Sequence, residues 1–177
     1  IAHIYCEDVF GIVGENFTFP VKVDNKVETT WTKNKNKVAE REELNKPTYF
    51  GPLRNRSVLM ENGSLTIVNL EKDDAGTYKL QYWDSSKDLS FELVVLDPPS
   101  EPKISCNISG PKLVLNCTAN FQGPLHYTWE LSNKRSFQKQ ELSIPLEDVD
   151  TTLKAKCIIK FSQVERSSEI SLIQCLP

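Results

Sequence analysis

Three prolines within five residues, Pro98, Pro99 and Pro102, cut the 177-residue chain near residue 97. Proline carries no backbone donor, so a strand ladder cannot run through such a segment, and the ring stiffens the link toward an extended form. The chain is therefore expected to fold as two small domains, 1–96 and 97–177, each near the size at which cross-links help. The two parts differ. Residues 1–96 carry a net charge of −3 and one cysteine, Cys6. Residues 97–177 carry a net charge of zero and four cysteines, Cys106, Cys117, Cys157 and Cys175. Four cysteines allow three pairings.

Both parts read as β. Residues 16–23 alternate, with Phe17, Phe19, Val21 and Val23 on one face. Leu65 and Ile67 share a face, as do Leu89, Phe91, Leu93 and Val95. Asn62-Gly63 joins two such runs, a strong hairpin signal. In the second part, 113–117, 125–129, 153–159 and 170–173 are the strand candidates. Long helical periodicity is missing, and many short strands with frequent turn signals point to all-β sandwiches.

Five Asn-X-Ser/Thr triplets begin at Asn16, Asn55, Asn62, Asn107 and Asn116. With several cysteines in so short a chain they place it in the secretory pathway, as an extracellular or cell-surface glycoprotein. The overall charge of −3 speaks against a nucleic-acid partner. The apolar run Leu93–Leu96 is far short of the ~20 residues that a crossing helix needs. The chain starts at Ile1 without methionine or a signal-like stretch, as a processed or trimmed segment does, so a membrane-attaching tail is expected outside it. The only histidines, His3 and His126, fall in different parts, and His126 reads as a structural residue in a strand. Neither a phosphate loop nor a local nucleophile–base constellation can be assembled, and His3 with Cys6 is too few ligands for a zinc site. The expectation is a protein without catalysis, metal or cofactor.

Lys72-Asp73-Asp74-Ala75-Gly76-Thr77-Tyr78 resembles the Asp-x-Gly-x-Tyr motif of immunoglobulin domains, whose tyrosine bonds back to nearby backbone. The resemblance makes Arg56 the ion-pair partner of that aspartate and Trp31 the core tryptophan. It also puts Val21 and Leu80 where the bridging cysteines stand in most such domains. The first part thus resembles a variable-type domain without a disulfide. The second, with Cys117, Trp129 and Cys157 in order, resembles a constant-2-type domain. The resemblance implies the disulfides Cys117–Cys157 and Cys106–Cys175, the latter joining first and last strands. Cys6 is left over just before the first strand, and reads as a partly buried, unpaired thiol.

This pair of domains is similar to the signalling-lymphocyte-activation family of leukocyte receptors, as are the local runs 9–13, 16–19, 36–40 and 63–70. The resemblance implies an adhesion glycoprotein of the cell surface. Its first domain would bind a related two-domain receptor, the rosette-type receptor of T cells, on an opposing T or natural killer cell. Binding would use the GFCC′C″ face and support contact and co-stimulation, with the second domain as spacer. Alternatives are a self-recognising or differently paired receptor of that family, or a viral or soluble mimic. If Trp31 points inward, Glu28, Thr30, Thr32 and Asn34 point outward, and if Leu80 points inward, so do Lys79, Gln81 and Trp83 outward. By resemblance the contact positions are Glu28, Lys33, Lys35, Lys37, Glu40 and Glu42, an aromatic anchor at Tyr49 or Phe50, and Lys79, Gln81, Trp83 and Asp84. A face with both charge signs gives specificity and fast encounter more than affinity, so a weak contact, on the order of micromolar, is expected.

Overall fold

A computed structural model describes residues 6–21, 28–42, 45–82 and 88–177, and in it the chain divides into two units, Ile1–Asp97 and Pro98–Pro177. Val23, His3, Trp83 and Asp84 lie outside the described residues.

The first unit carries β1 (Cys6–Ile12), β2 (Phe17–Thr18), β3 (Thr29–Lys33), β4 (Asn36–Arg41), β5 (Thr48–Tyr49), β6 (Ser57–Leu59), β7 (Leu65–Ile67), β8 (Gly76–Tyr82) and β9 (Leu89–Leu96). One sheet has the order β1-β9-β8-β3-β4-β5 and the other β2-β7-β6. All neighbours are antiparallel except β1 and β9, which run parallel from Cys6↔Ser90 to Ile12↔Leu96. The expected strand over 16–23 is only two residues long. Pro20 offers no donor, and the Val21 N–H turns back to the Phe19 carbonyl at 2.9 Å, so the ladder ends there. Phe19 still reaches the core, with ring centroids 4.9 Å from Trp31, 4.8 Å from Tyr78 and 5.4 Å from Phe91. Trp31 and Leu80 face each other across β3 and β8, and Val21 is buried as well. Gly11 is required by packing: a Cβ there would overlap Leu70 Cδ1 in the core.

The tyrosine corner and its ion pair hold the lower turn. Tyr78 Oη donates to the Asp74 carbonyl at 2.6 Å, and the Arg56 guanidinium donates to both Asp74 oxygens at 2.8 and 3.0 Å. Burial pushes the Asp74 carboxyl up, but bonds from Arg56 and the Glu71 N–H, with the charges of Arg56 and Lys33, outweigh it and hold the group below its ordinary range. Burial raises the Tyr78 phenol, which stays protonated as the bond requires.

The second unit carries β10 (Lys103–Ser109), β11 (Lys112–Thr118), β12 (His126–Leu131), β13 (Ser136–Phe137), β14 (Glu141–Pro145), β15 (Lys154–Phe161) and β16 (Val164–Ser171). Its sheets are β10-β11-β14 and β13-β12-β15-β16. Cys117–Cys157 joins the two sheets beside the buried Trp129, and Cys106–Cys175 closes one edge. Three expectations are corrected here. The last strand is not 170–173 but Val164–Ser171, because residues 172–175 form a 3-10 turn with a capping box between Ser171 and Gln174. Cys106 therefore bonds that turn rather than the last strand. His126 is exposed at the head of β12, not packed. In the first unit, Cys6 is likewise not partly buried before the first strand: it is the exposed first residue of β1.

Candidate binding face

The outward side of the six-stranded sheet is built in rows by the register. Thr32 of β3 stands between Lys37 of β4 and Lys79 of β8, with Ser90 of β9 beyond. The next row places Thr30 between Glu40 and Gln81, with Thr48 of β5 beyond Glu40. Strict alternation would put Lys37 and Glu40 on opposite sides of β4. A bulge solves this: Trp31 pairs with Ala39 while Thr32 pairs with Lys37, so Val38 is the extra residue and is buried. Lys37 and Glu40 then share the outward side and form an ion pair at 3.0 Å, with the Lys37 side chain 55% exposed. Thr30, expected to be open on this side, is buried between its neighbours.

The turn between β3 and β4 is tight. Asn34 and Lys35 have φ of +48° and +73°, as a two-residue hairpin with the right twist needs. The Asn34 side-chain oxygen accepts from the Thr77 N–H at 3.0 Å, and the Asn34 backbone N–H donates to the Thr77 carbonyl at 2.8 Å. The turn is thereby fastened to β8 with Lys35 at its tip. A shallow hollow on the outward side is lined by Thr32, Asn34, Lys35, Thr77, Lys79 and Gln81.

Two expected contact residues point elsewhere. Lys33 shares the inward side with Trp31, pairs with the buried Tyr78, and donates from Nζ to the Asp73 carbonyl at 2.5 Å. Tyr49 pairs with the buried Ala39, packs against the core, and accepts the Leu59 N–H on its hydroxyl at 2.8 Å. Phe50, half-buried, has the Lys37 ammonium 5.8 Å from its ring centroid. Glu28 and Glu42 are exposed just outside β3 and β4. Gln81 reaches Asp88 at 3.5 Å.

Charge is sorted along the strands. Lys35, Lys37 and Lys79 lie toward the β3–β4 turn; Glu28, Glu40, Glu42 and Asp88 lie toward the other end. The acid at the basic end, Glu92, accepts the Thr77 hydroxyl at 2.6 Å. The sequence showed the charges but not the bulge that aligns them, because a single inserted residue leaves no composition signal. Among the described residues, no helix is long and apolar enough to cross a membrane.

No family model matches the chain. Over 182 residues it is 28% identical to human lymphocyte function-associated antigen 3, covering 98% of this chain and 72% of that protein. A crystal structure of the CD2-binding domain of CD58, the same antigen, matches with a TM-score of 0.58 and 26% identity, over 94% of this chain and 97% of that one. A chain in the crystal structure of a mouse coronavirus receptor-binding domain complexed with its murine receptor shares the fold, with a TM-score of 0.52 and 17% identity over 92% and 94% of the two chains. The chain is immunoglobulin-like and similar to lymphocyte function-associated antigen 3 along nearly its whole length.

Proposed function

We propose that this chain is the ectodomain of a cell-surface adhesion ligand that binds a CD2-like receptor on T and natural killer cells, through the outward side of its six-stranded sheet. The observation that carries the reading is that side itself: a rigid sheet with sorted charge of both signs and one half-exposed aromatic ring, in a chain similar to a protein with a CD2-binding domain. Parallel pairing of the first strand with the last, and the added β5, support a variable-type first domain. The second unit, with β13 beside β12 and two disulfides, is read as a constant-2-type spacer.

The contact residues are Glu28, Lys35, Lys37, Glu40, Glu42, Phe50, Lys79 and Gln81, with Trp83 and Asp84, which follow β8 in sequence. Exposed charges are strongly hydrated, and pairing returns little more than desolvation takes. The contact is accordingly weak and reversible, with Kd on the order of micromolar, and many copies act together through avidity. Binding of the chain to a purified CD2-type ectodomain tests this. Glu40→Lys, Lys37→Glu and Phe50→Ala each weaken it, and unchanged binding in all three overturns the face assignment.

The same sorting favours a second reading, self-recognition. Two copies related by a twofold axis would set the lysine end of one against the glutamate end of the other. Sedimentation distinguishes the two: a concentration-dependent dimer abolished by Lys79→Glu supports self-recognition, and a monomer at all concentrations removes it.

A further inference from the structure

The second unit has an open flank. β13 ends the four-stranded sheet, β14 ends the three-stranded one, and among the described residues no strand joins the two edges. A cavity of about 370 Å³ opens between them. Its floor is apolar: Leu131, Leu142 and Leu172 are buried there, with Phe137, Ile144 and Leu153 half-buried around them. The edge of β14 is unfinished as well. The Gln140 carbonyl accepts the Cys117 N–H at 3.3 Å, and the Leu146 N–H donates to the Pro111 carbonyl at 2.8 Å, so both residues face β11. By the alternation of an antiparallel ladder, the N–H and carbonyl of Ser143 point the other way, to the open flank.

The two rims of the cavity carry opposite charge. On the β13 side, residues 132–140 hold Lys134, Arg135 and Lys139, all exposed, and no acid. On the other side, residues 146–152 hold Glu147, Asp148 and Asp150, all exposed, and no base. Arg135, Asp148 and Asp150 line the cavity itself. Among the described residues the ion pair of this unit is Lys154–Glu169, so none of the three is paired across the opening. Arg135 instead lies over the Phe137 ring, 5.4 Å from its centroid. Asp150 accepts the Thr152 N–H and hydroxyl at 2.9 and 2.6 Å, and these bonds hold its carboxyl below the ordinary range and charged. Lysines on an edge also repel stray strands, but such a guard has no use for an apolar cavity with an acidic rim opposite. Unpaired charges of both signs around an apolar floor complement a ligand that carries both signs around an apolar group.

We infer that this flank binds an extended peptide segment of a partner protein, laid along β14 with one aliphatic side chain in the cavity. The backbone groups of Ser143 bond the segment, as in strand addition to a free edge. Side chains two residues apart share one face of an extended chain. An acidic residue on one side of the aliphatic one therefore meets Arg135, and a basic residue on the other side meets Asp148 and Asp150. The second unit is then a binding module in its own right and not a spacer alone, whatever the first unit binds.

The test uses the whole chain and two labelled, end-blocked peptides, Thr-Glu-Thr-Leu-Thr-Lys-Thr and the same with Glu and Lys exchanged, read by fluorescence anisotropy. The two orders cover both strand directions. One order is expected to bind several-fold more tightly than the other, and replacing its leucine by serine abolishes binding. Arg135→Glu, at an exposed position, loses the preferred peptide and binds instead the version whose acid is replaced by lysine, which a misfolded chain does not do. Absence of binding in both orders, equal binding of the two, or an Arg135→Glu chain that keeps the parent's preference overturns the inference. A sulfated oligosaccharide that binds where neither peptide does also overturns it, and assigns the basic rim to polyanions.

Discussion

The two units solve one packing problem with different chemistry. In the second, Trp129 lies opposite Cys157, whose bond to Cys117 joins the sheets. In the first, Trp31 lies opposite Leu80, and the volume is filled by Leu80, Val21 and the aromatic group around Phe19. Both tryptophans donate Nε1–H at 2.9 Å to a backbone carbonyl across the sandwich, Gly63 in one and Gln140 in the other. The first unit adds further polar stitches. Arg41, buried, donates to the Met60 and Glu61 carbonyls at 3.0 and 3.1 Å, and Ser64 bonds the Val21 carbonyl. A disulfide acts mainly on the unfolded chain, by limiting its freedom. Packing and hydrogen bonds act on the folded state alone, so the first unit is the more sensitive to single side-chain losses.

That contrast can be broken in order of expected size. Trp31→Ala removes the central ring and lowers the stability of the first unit by about 3–5 kcal/mol, leaving the second transition in calorimetry where it was. Asp74→Asn takes the two-bond ion pair from the half-buried Arg56, which keeps the longer one to Glu71 at 3.5 Å, and costs about 3 kcal/mol. The same change removes a pH dependence. Because the folded carboxyl sits below its ordinary range, its contribution is complete above that range and is lost as pH falls through the depressed value. The first unit therefore melts earlier in acid, and the slope flattens in Asp74→Asn. Cys117→Ala with Cys157→Ala costs the second unit about 2–4 kcal/mol, and reductant leaves the first unit's transition untouched. Gly11→Ala forces a methyl against Leu70 and costs about 2 kcal/mol by overpacking. Equal sensitivity of both units to reductant, or a first unit indifferent to Trp31→Ala, would dissolve the contrast.

What the sequence made legible were features with a local cause. The 89–95 alternation is read from period-two burial, and the hairpin at Asn62-Gly63 from turn chemistry, with Gly63 at φ +86°, whereas the core places of Trp31 and Leu80 came from family likeness. The Arg56–Asp74 pair and both disulfides came from family likeness, and the structure contains them. Edge strands were hidden: β10 and β16 each have a free side and weak alternation, as in Val164–Ser171, where half of the residues are exposed and none is buried. The candidate face was half legible. Its charges could be named, and the alternation that turns Trp31 inward also turns Lys33 inward, but the side on which Glu40 and Tyr49 lie depends on the Val38 bulge and on core contacts that no local pattern carries.

The parallel alliance of β1 with β9 has a mechanical side. Tension arriving along the chain from residue 97 enters β9 at Leu96 and runs along its axis. There β9 is gripped by β1 over seven residues on one edge and by β8 on the other. The Val13 N–H to Leu96 carbonyl bond, 2.9 Å, and the Lys72–Asp97 pair, 3.3 Å, close the entry point. A load along the strand shears all these rungs at once instead of unzipping them in turn.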